Sequence, residues 1–209
     1  MTAYPFDVLV ARAAALADLG PRRLLGVVGA PGAGKSTLAA RIVEAVGPTA
    51  ALVPMDGYHL AEAELHRLGR HERKGAINTF DGAGYVSMLG RLAAGGPETV
   101  YAPAFHREIE EPVAGSIPVP PEVRLVVTEG NYLLVPEEPW SGVRLVLDEV
   151  WYLDLDEELR LRRLVARHLA YGRSQAEAKA RSYGSDQINA ELIATTRNRA
   201  DLVVRVVEG

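Results

Sequence analysis

The sequence predicts an α/β protein built on a parallel sheet, and three features of the 209-residue chain carry that reading. Short apolar runs alternate with stretches of helical periodicity along most of its length, the pattern of strands joined through crossover helices. The run Leu24-Leu25-Gly26-Val27-Val28 feeds a glycine-rich turn, Gly29-Ala30-Pro31-Gly32-Ala33-Gly34-Lys35-Ser36, and a helix follows. Two other apolar runs end in an acidic residue, at the sheet edge where open α/β proteins collect their ligands.

In chain order, residues 6–18 place apolar side chains at 6, 9, 10, 13, 16 and 17 before Gly20-Pro21, an amphipathic helix with a stop signal that covers the sheet. Residues 24–28 are the first strand. Behind the turn, Thr37 to Val46 put apolar residues at 38, 42, 43 and 46, a helical spacing. Ala50-Ala51-Leu52-Val53-Pro54 is a second strand that delivers Met55-Asp56-Gly57-Tyr58-His59. Helices are expected over 61–69 and 82–94, with a polar loop at 70–81 between them and Gly95-Gly96-Pro97 as the stop. Thr99-Val100-Tyr101 is extended. Residues 111–121, apolar in alternation with a central Gly-Ser and flanking prolines, read as an exposed hairpin. Residues 123–128 and 149–153 are further core strands. Residues 157–171, 174–182 and 186–198 are helices, the first rich in arginine, and 202–207 closes the sheet. The length suits one domain, with a lid over about 157–183.

Composition narrows the partners. Acidic residues number 27 against 23 basic ones, so no global positive field points to nucleic acid. There is no cysteine, which excludes a disulfide framework and thiolate metal ligands. The first residues lack a basic n-region, and no apolar run reaches membrane-spanning length. The expectation is a soluble, cytoplasmic protein with a small-molecule substrate.

The glycine turn fits G-x-x-x-x-G-K-[ST], the phosphate-binding loop, in the strand–loop–helix order that motif requires. Glycines at 29, 32 and 34 let successive backbone N–H groups point inward at a polyphosphate. The opening helix adds the positive end of its dipole. Lys35 is expected to reach the outer phosphates, the Ser36 hydroxyl to ligate Mg²⁺, and Thr37 to stand just behind them. Asp56 ends the second strand, where a carboxylate can take the proton of an attacking substrate hydroxyl; alone, Asp-Gly would read as ordinary turn chemistry. Glu129, after the run 123–128, is suited to hold Mg²⁺ or its waters, with Asp154 as the reserve candidate. Arg160, Arg163 and Arg167 share one helical stripe and Arg173 follows it. They could neutralise a transferring phosphoryl group, or pair as Asp156–Arg160 and Glu158–Arg162 do at i,i+4 on a surface. Tyr58, His59, Lys74, Tyr101, His106 and Arg107 lie in loops expected to face the cleft, where they could hydrogen-bond a polyol, a sugar or a carboxylate, or be plain surface; all but His106 are carried as substrate residues.

Together, Gly29–Ser36, Met55-Asp56-Gly57-Tyr58-His59, Glu129-Gly130-Asn131-Tyr132 and the arginine-rich helix resemble the uridine kinase, pantothenate kinase and phosphoribulokinase superfamily. Arg73-Lys74-Gly75, Thr79-Phe80-Asp81, Pro112-Val113-Ala114-Gly115 and Ser185-Asp186-Gln187-Ile188-Asn189 are similar to its bacterial nucleoside/nucleotide kinase-like, or fructose transport system kinase, subfamily. The resemblance implies a P-loop NTPase fold with a five-stranded parallel sheet of order 2-3-1-4-5, ATP as donor, Mg²⁺, and a mobile lid. It implies Asp56 as base, Lys35, Ser36 and Glu129 on phosphate and Mg²⁺, and Arg197 to Asp201 near the adenine. Related kinases often assemble as dimers or tetramers, so a homodimer is carried as an expectation. No clear match to the uridine-binding loop of true uridine kinases is present, which leaves the acceptor open among a sugar such as fructose, a nucleoside and a pantothenate-like alcohol. A nucleotide-dependent switch is the reading from another class: Asp81-Gly82-Ala83-Gly84 matches D-x-x-G, yet there is no N-K-x-D to read guanine.

Overall fold

The computed structural model describes residues 3–205. Its elements are α1 (Phe6–Ala17), β1 (Arg23–Gly29), α2 (Lys35–Val46), β2 (Ala50–Leu52), α3 (Glu62–Arg67), α4 (Gly82–Ala94), β3 (Val100–His106) and β4 (Glu111–Val119). There follow β5 (Leu125–Gly130), α5 (Ser141–Val146), β6 (Glu149–Asp154), α6 (Glu157–Ala170), α7 (Gln175–Tyr183), α8 (Ser185–Ala194) and β7 (Leu202–Arg205). Val206 and Val207, expected at the end of the last strand, lie outside the described residues.

Five strands form one parallel sheet in the order β2-β5-β1-β6-β7. The two hairpin strands take up numbers, so the labels differ from 2-3-1-4-5; counted among the five sheet strands alone, that is the order. Strand period decides what each face carries. Leu24, Val28, Val126 and Val150 point to the side covered by α4 and α5, where Tyr85, Leu89, Leu92 and Trp140 complete the packing. Leu25, Val27, Leu125, Val127 and Trp151 point the other way, under Leu9 and Leu16 of α1 and Ile42 of α2. A buried chain of hydroxyls stitches the first layer: Thr128 donates to the Val53 carbonyl at 2.6 Å, so Tyr85 donates to Thr128 at 2.5 Å. Among the described residues, no helix is long and apolar enough to cross a membrane.

One local expectation is corrected, and one element is added. Residues 111–119 form a single strand, and their partner is 100–106, with the turn at 107–110 between them. Gly115-Ser116 is therefore a bulge. Ala102 faces Ile117 while Ala104 faces Val113, Gly115 takes a φ of 72°, and the Ser116 hydroxyl donates back to the Val113 carbonyl at 2.8 Å. The same Gly-Ser chemistry serves a turn or a bulge, and only the partner strand distinguishes them. The short helix α5 was also not expected from the sequence; it is one of two helices closing the first layer.

Candidate active site

β1 ends at the C-terminal edge of the sheet, and the chain bends there through Gly32 at φ 84° and Gly34 at φ 93°, the left-handed region that favours glycine. At Gly32 space is short as well: a Cβ would meet Leu164 Cγ at 2.7 Å and the Arg160 carbonyl oxygen at 3.0 Å. α2 then opens on Lys35, whose ammonium is buried and donates to the Ala30 carbonyl at 3.2 Å. Burial lowers the Lys35 pKa, and the carboxylates of Glu129 and Asp56 oppose that shift. Parallel pairing sets Glu129 of β5 beside Val27 of β1. There its carboxylate accepts a 2.9 Å hydrogen bond from Ser36 Oγ. Glu129 is buried, and its pKa is raised by burial first and by Asp56 next, with Lys35 and Ser36 pulling the other way. A hydroxyl and a carboxylate side by side at a phosphate loop are hard oxygen donors, a set that fits Mg²⁺.

Asp56 sits in a single 3-10 turn, Met55–Tyr58, that continues β2. The β3–β4 hairpin folds over this turn and brings Arg107 Nη2 to 3.6 Å from Asp56 Oδ2. Gly57 is the contact point, because a Cβ there would lie 2.4 Å from the Pro103 carbonyl oxygen. His59 is wedged between Phe80 and Phe105 at 4.0 and 4.8 Å between ring centroids, and burial lowers its pKa. Its Nδ1 lies 2.8 Å from the Asp56 carbonyl oxygen. Lys74 pairs with Glu62 and donates to the Glu110 carbonyl at 2.6 Å. Lys35, Ser36, Asp56, Glu129, Lys74 and Arg107 all border one cleft of about 210 Å³, with Arg167 and Arg173 facing them from the other side.

The arginine stripe divides by role. Arg160 is almost fully buried: it pairs with Glu157 at 2.7 Å, contacts Gln187, and donates to the Pro31 carbonyl at 3.2 Å. It clamps the loop from behind. Arg163 Nη1 lies 3.7 Å from where a Cβ on Gly34 would sit, and Arg162 makes a surface pair with Glu158 at 3.0 Å. Asp154 is held by Arg197 at 2.9 Å and lines a separate groove with Ala30 and Ala33. Asp201, at the far end of that segment, accepts from the Val150 N–H at 2.8 Å and from Arg144 at 2.7 Å.

Three residues expected to face the cleft lie elsewhere. Tyr58 is packed in the core, 5.0 Å from the Tyr85 ring, because the 3-10 turn points residues 56 and 58 in different directions. Tyr101 lies within strand β3, opposite Pro118, and is exposed outside the cleft. His106 ends the same strand and pairs with Glu108 at 3.0 Å. Thr37 is exposed one residue beyond the cleft wall. The D-x-x-G match is a helix cap: Asp81 accepts from the Gly84 N–H at 2.8 Å at the start of α4. Phe105, Asn131, Tyr171, Arg181, Asp186 and Asn189 also border the cleft. Sequence reasoning gave them no role, although two of them fall inside the quoted Ser185–Asn189 motif.

No family model matches the chain. It is 33% identical over 211 residues to a Schizosaccharomyces pombe protein provisionally named uridine kinase C227.14, covering 96% of this chain and 90% of that protein. It is 37% identical over 153 residues to the ATP-dependent kinase-like protein notR' of Aspergillus versicolor, covering 68% of this chain and 88% of that one. Among solved structures, a protein of Silicibacter sp. TM1040 provisionally described as a fructose transport system kinase superposes with a TM-score of 0.86 at 35% identity, over 96% of this chain and 98% of its own. Phosphate loop, sheet order and these relatives agree: the chain belongs to the uridine kinase-like family of P-loop kinases.

Proposed function

We propose that this protein is an ATP- and Mg²⁺-dependent kinase that phosphorylates a hydroxyl of a small metabolite. One observation carries the reading: Asp56, Lys35 and the Ser36–Glu129 pair border a single cleft at the sheet edge. Lys35 and the loop amides hold the triphosphate. Ser36 and Glu129 would hold Mg²⁺, which when bound offsets charge on the phosphoryl oxygens. Asp56 accepts the hydroxyl proton as the oxygen forms its bond to the γ-phosphorus. The bond from that phosphorus to the β,γ-bridging oxygen breaks, and ADP leaves with the electron pair. Arg163, Arg167 and Arg173 close from the α6–α7 side as the lid, residues 157–183, excluding water from the transfer. Lys74, His59 and Arg107 orient the acceptor.

The acceptor is a polar alcohol, with a sugar such as fructose, a nucleoside and a pantothenate-like alcohol as the classes to separate. A coupled ADP-release screen across these classes identifies it. With that acceptor in hand, Asp56→Asn should lower turnover by about 10²–10⁴-fold with ATP affinity unchanged. Equal turnover in the variant would remove Asp56 from its role.

A further inference from the structure

Away from the phosphate loop, on the far side of Lys74 from the cleft lining, three metal-ligating side chains converge, and the kinase reading gives no role to the two histidines among them. Glu62 and His66 stand one turn apart on α3, on the same helical face. Gly69, at φ 64°, then turns the chain back so that the 3-10 turn His71–Arg73 returns alongside α3. The His66 and His71 rings stack at 4.1 Å between centroids and 15° between planes. His71 Nδ1 lies 2.6 Å and His66 Nε2 3.9 Å from the same Glu62 oxygen, Oε2. All three donor atoms lie within 4.8 Å of one another.

We propose that Glu62, His66 and His71 form a binding site for a divalent transition-metal ion of the Zn²⁺ class. Two imidazoles and one carboxylate are the donor set that suits Zn²⁺, in contrast to the all-oxygen preference of Mg²⁺. A tetrahedral ion with bonds of about 2.0–2.1 Å separates its ligand atoms by about 3.4 Å. The two distances to Glu62, 2.6 and 3.9 Å, straddle that value; binding would turn the stacked rings toward one ion, with water as the fourth ligand.

An ordinary ion pair accounts for the arrangement less well. Glu62 Oε2 already has His71 at 2.6 Å, and 3.9 Å is too long for His66 to hydrogen-bond the same oxygen, so a hydrogen-bonded pair leaves the second ring's place unexplained. The carboxylate is also held from outside, as ligating carboxylates are. Its second oxygen takes Lys74, and the Glu62 N–H donates to Glu111 at 3.1 Å. Glu110 offsets the Lys74 charge at 3.6 Å, Arg67 is tied to Glu64, and Arg70 donates to the Asn78 carbonyl. His66 and His71 have open access to solvent for metal entry.

The test uses the full chain without an affinity tag, stripped with chelator and free of nucleotide. Calorimetric titration with Zn²⁺ should give one equivalent bound, and Co²⁺ should show the strong visible bands of a four-coordinate ion. His66→Ala and His71→Ala should each weaken binding by about 10–100-fold while leaving the melting temperature of the metal-free protein unchanged. Excess Mg²⁺ should leave the Zn²⁺ in place. Absence of a one-equivalent event, binding undiminished in both variants, or displacement by Mg²⁺ would each overturn the assignment. Since neither readout requires turnover, the result stands apart from the kinase reading.

Discussion

Replacing Gly57 by alanine would drive a methyl group into the underside of the β3–β4 hairpin. The added carbon would lie 2.4 Å from the Pro103 carbonyl oxygen and 2.8 Å from its carbonyl carbon, where ordinary contact begins at 3.4 Å. The obstruction is backbone, so no rotamer change relieves it, and either the hairpin or the turn carrying Asp56 must retreat by about 1 Å. Overpacking of this kind costs about 1–3 kcal/mol. At about 2–4 °C per kcal/mol for a chain of this size, the melting temperature should fall by about 2–12 °C. The hairpin also carries Phe105 and Arg107 to the cleft, and Arg107 approaches Asp56 to 3.6 Å. A displacement of about 1 Å at reacting groups can cost about 10²-fold in rate, so kcat/KM for the acceptor should drop while ATP affinity holds. Thermal unfolding by circular dichroism and a coupled ADP assay read the two effects. Gly90→Ala is the paired control: it lies within α4 with nothing inside 4 Å of the new carbon, and should stabilise by about 0.4–1 kcal/mol. If Gly57→Ala melts with the wild type and keeps its turnover, the hairpin does not bear on the Asp56 turn as described.

Other perturbations separate structural from chemical roles. Tyr58 has a buried hydroxyl with no hydrogen-bond partner in the structure, and burial pushes its pKa far up. Tyr58→Phe should therefore leave acceptor KM unchanged and alter stability by no more than a gain of about 1–3 kcal/mol, measured by denaturant melts. Arg160→Met removes the donor to the Pro31 carbonyl, which should cost about 1–3 kcal/mol and weaken ATP in a fluorescence titration. Burial pushes the Glu129 carboxyl above its ordinary range, so in its proposed role on Mg²⁺ it would become neutral, and a poorer ligand, at a higher pH than an ordinary carboxylate. The Mg²⁺ concentration for half-maximal activity should rise correspondingly early as pH falls. In Glu129→Gln more Mg²⁺ is needed throughout, and the pH trend flattens.

What could be read from the sequence follows the range of the interactions involved. The phosphate loop is a contiguous motif whose glycines are required by backbone angles, so it was legible residue by residue. The paired acids Asp56 and Glu129 were legible because apolar runs locate strand ends, and parallel strands place those ends on one edge. Helix α4 was found at about its observed bounds, since its glycine stop is local, while its Asp81 cap was read instead as a D-x-x-G match. The hairpin was misread because Gly115-Ser116 makes a bulge or a turn depending on a partner a dozen residues upstream. Tyr58 was misassigned because one 3-10 turn reverses which of two near neighbours faces the cleft. Arg160 read as a surface or phosphate arginine, since its acceptor on Pro31 is 129 positions away. Phe105 and Arg181 had no local signal at all, and Asn131 and Asn189 lay in quoted motifs without one that placed them on this cavity.

The burial of Arg160 bears on how the enzyme can open and shut. Its guanidinium ties the first turn of α6 to both the loop and α8, while Leu164 presses on Gly32. That end of the helix is thus a fulcrum. Arg167 rides about 10 Å farther along the axis at 1.5 Å per residue, and Arg173 beyond it, at the swinging end of a lever. In the proposed lid, a small tilt about the anchored turn would sweep those two cations through a wide arc while the cradle beneath kept its shape.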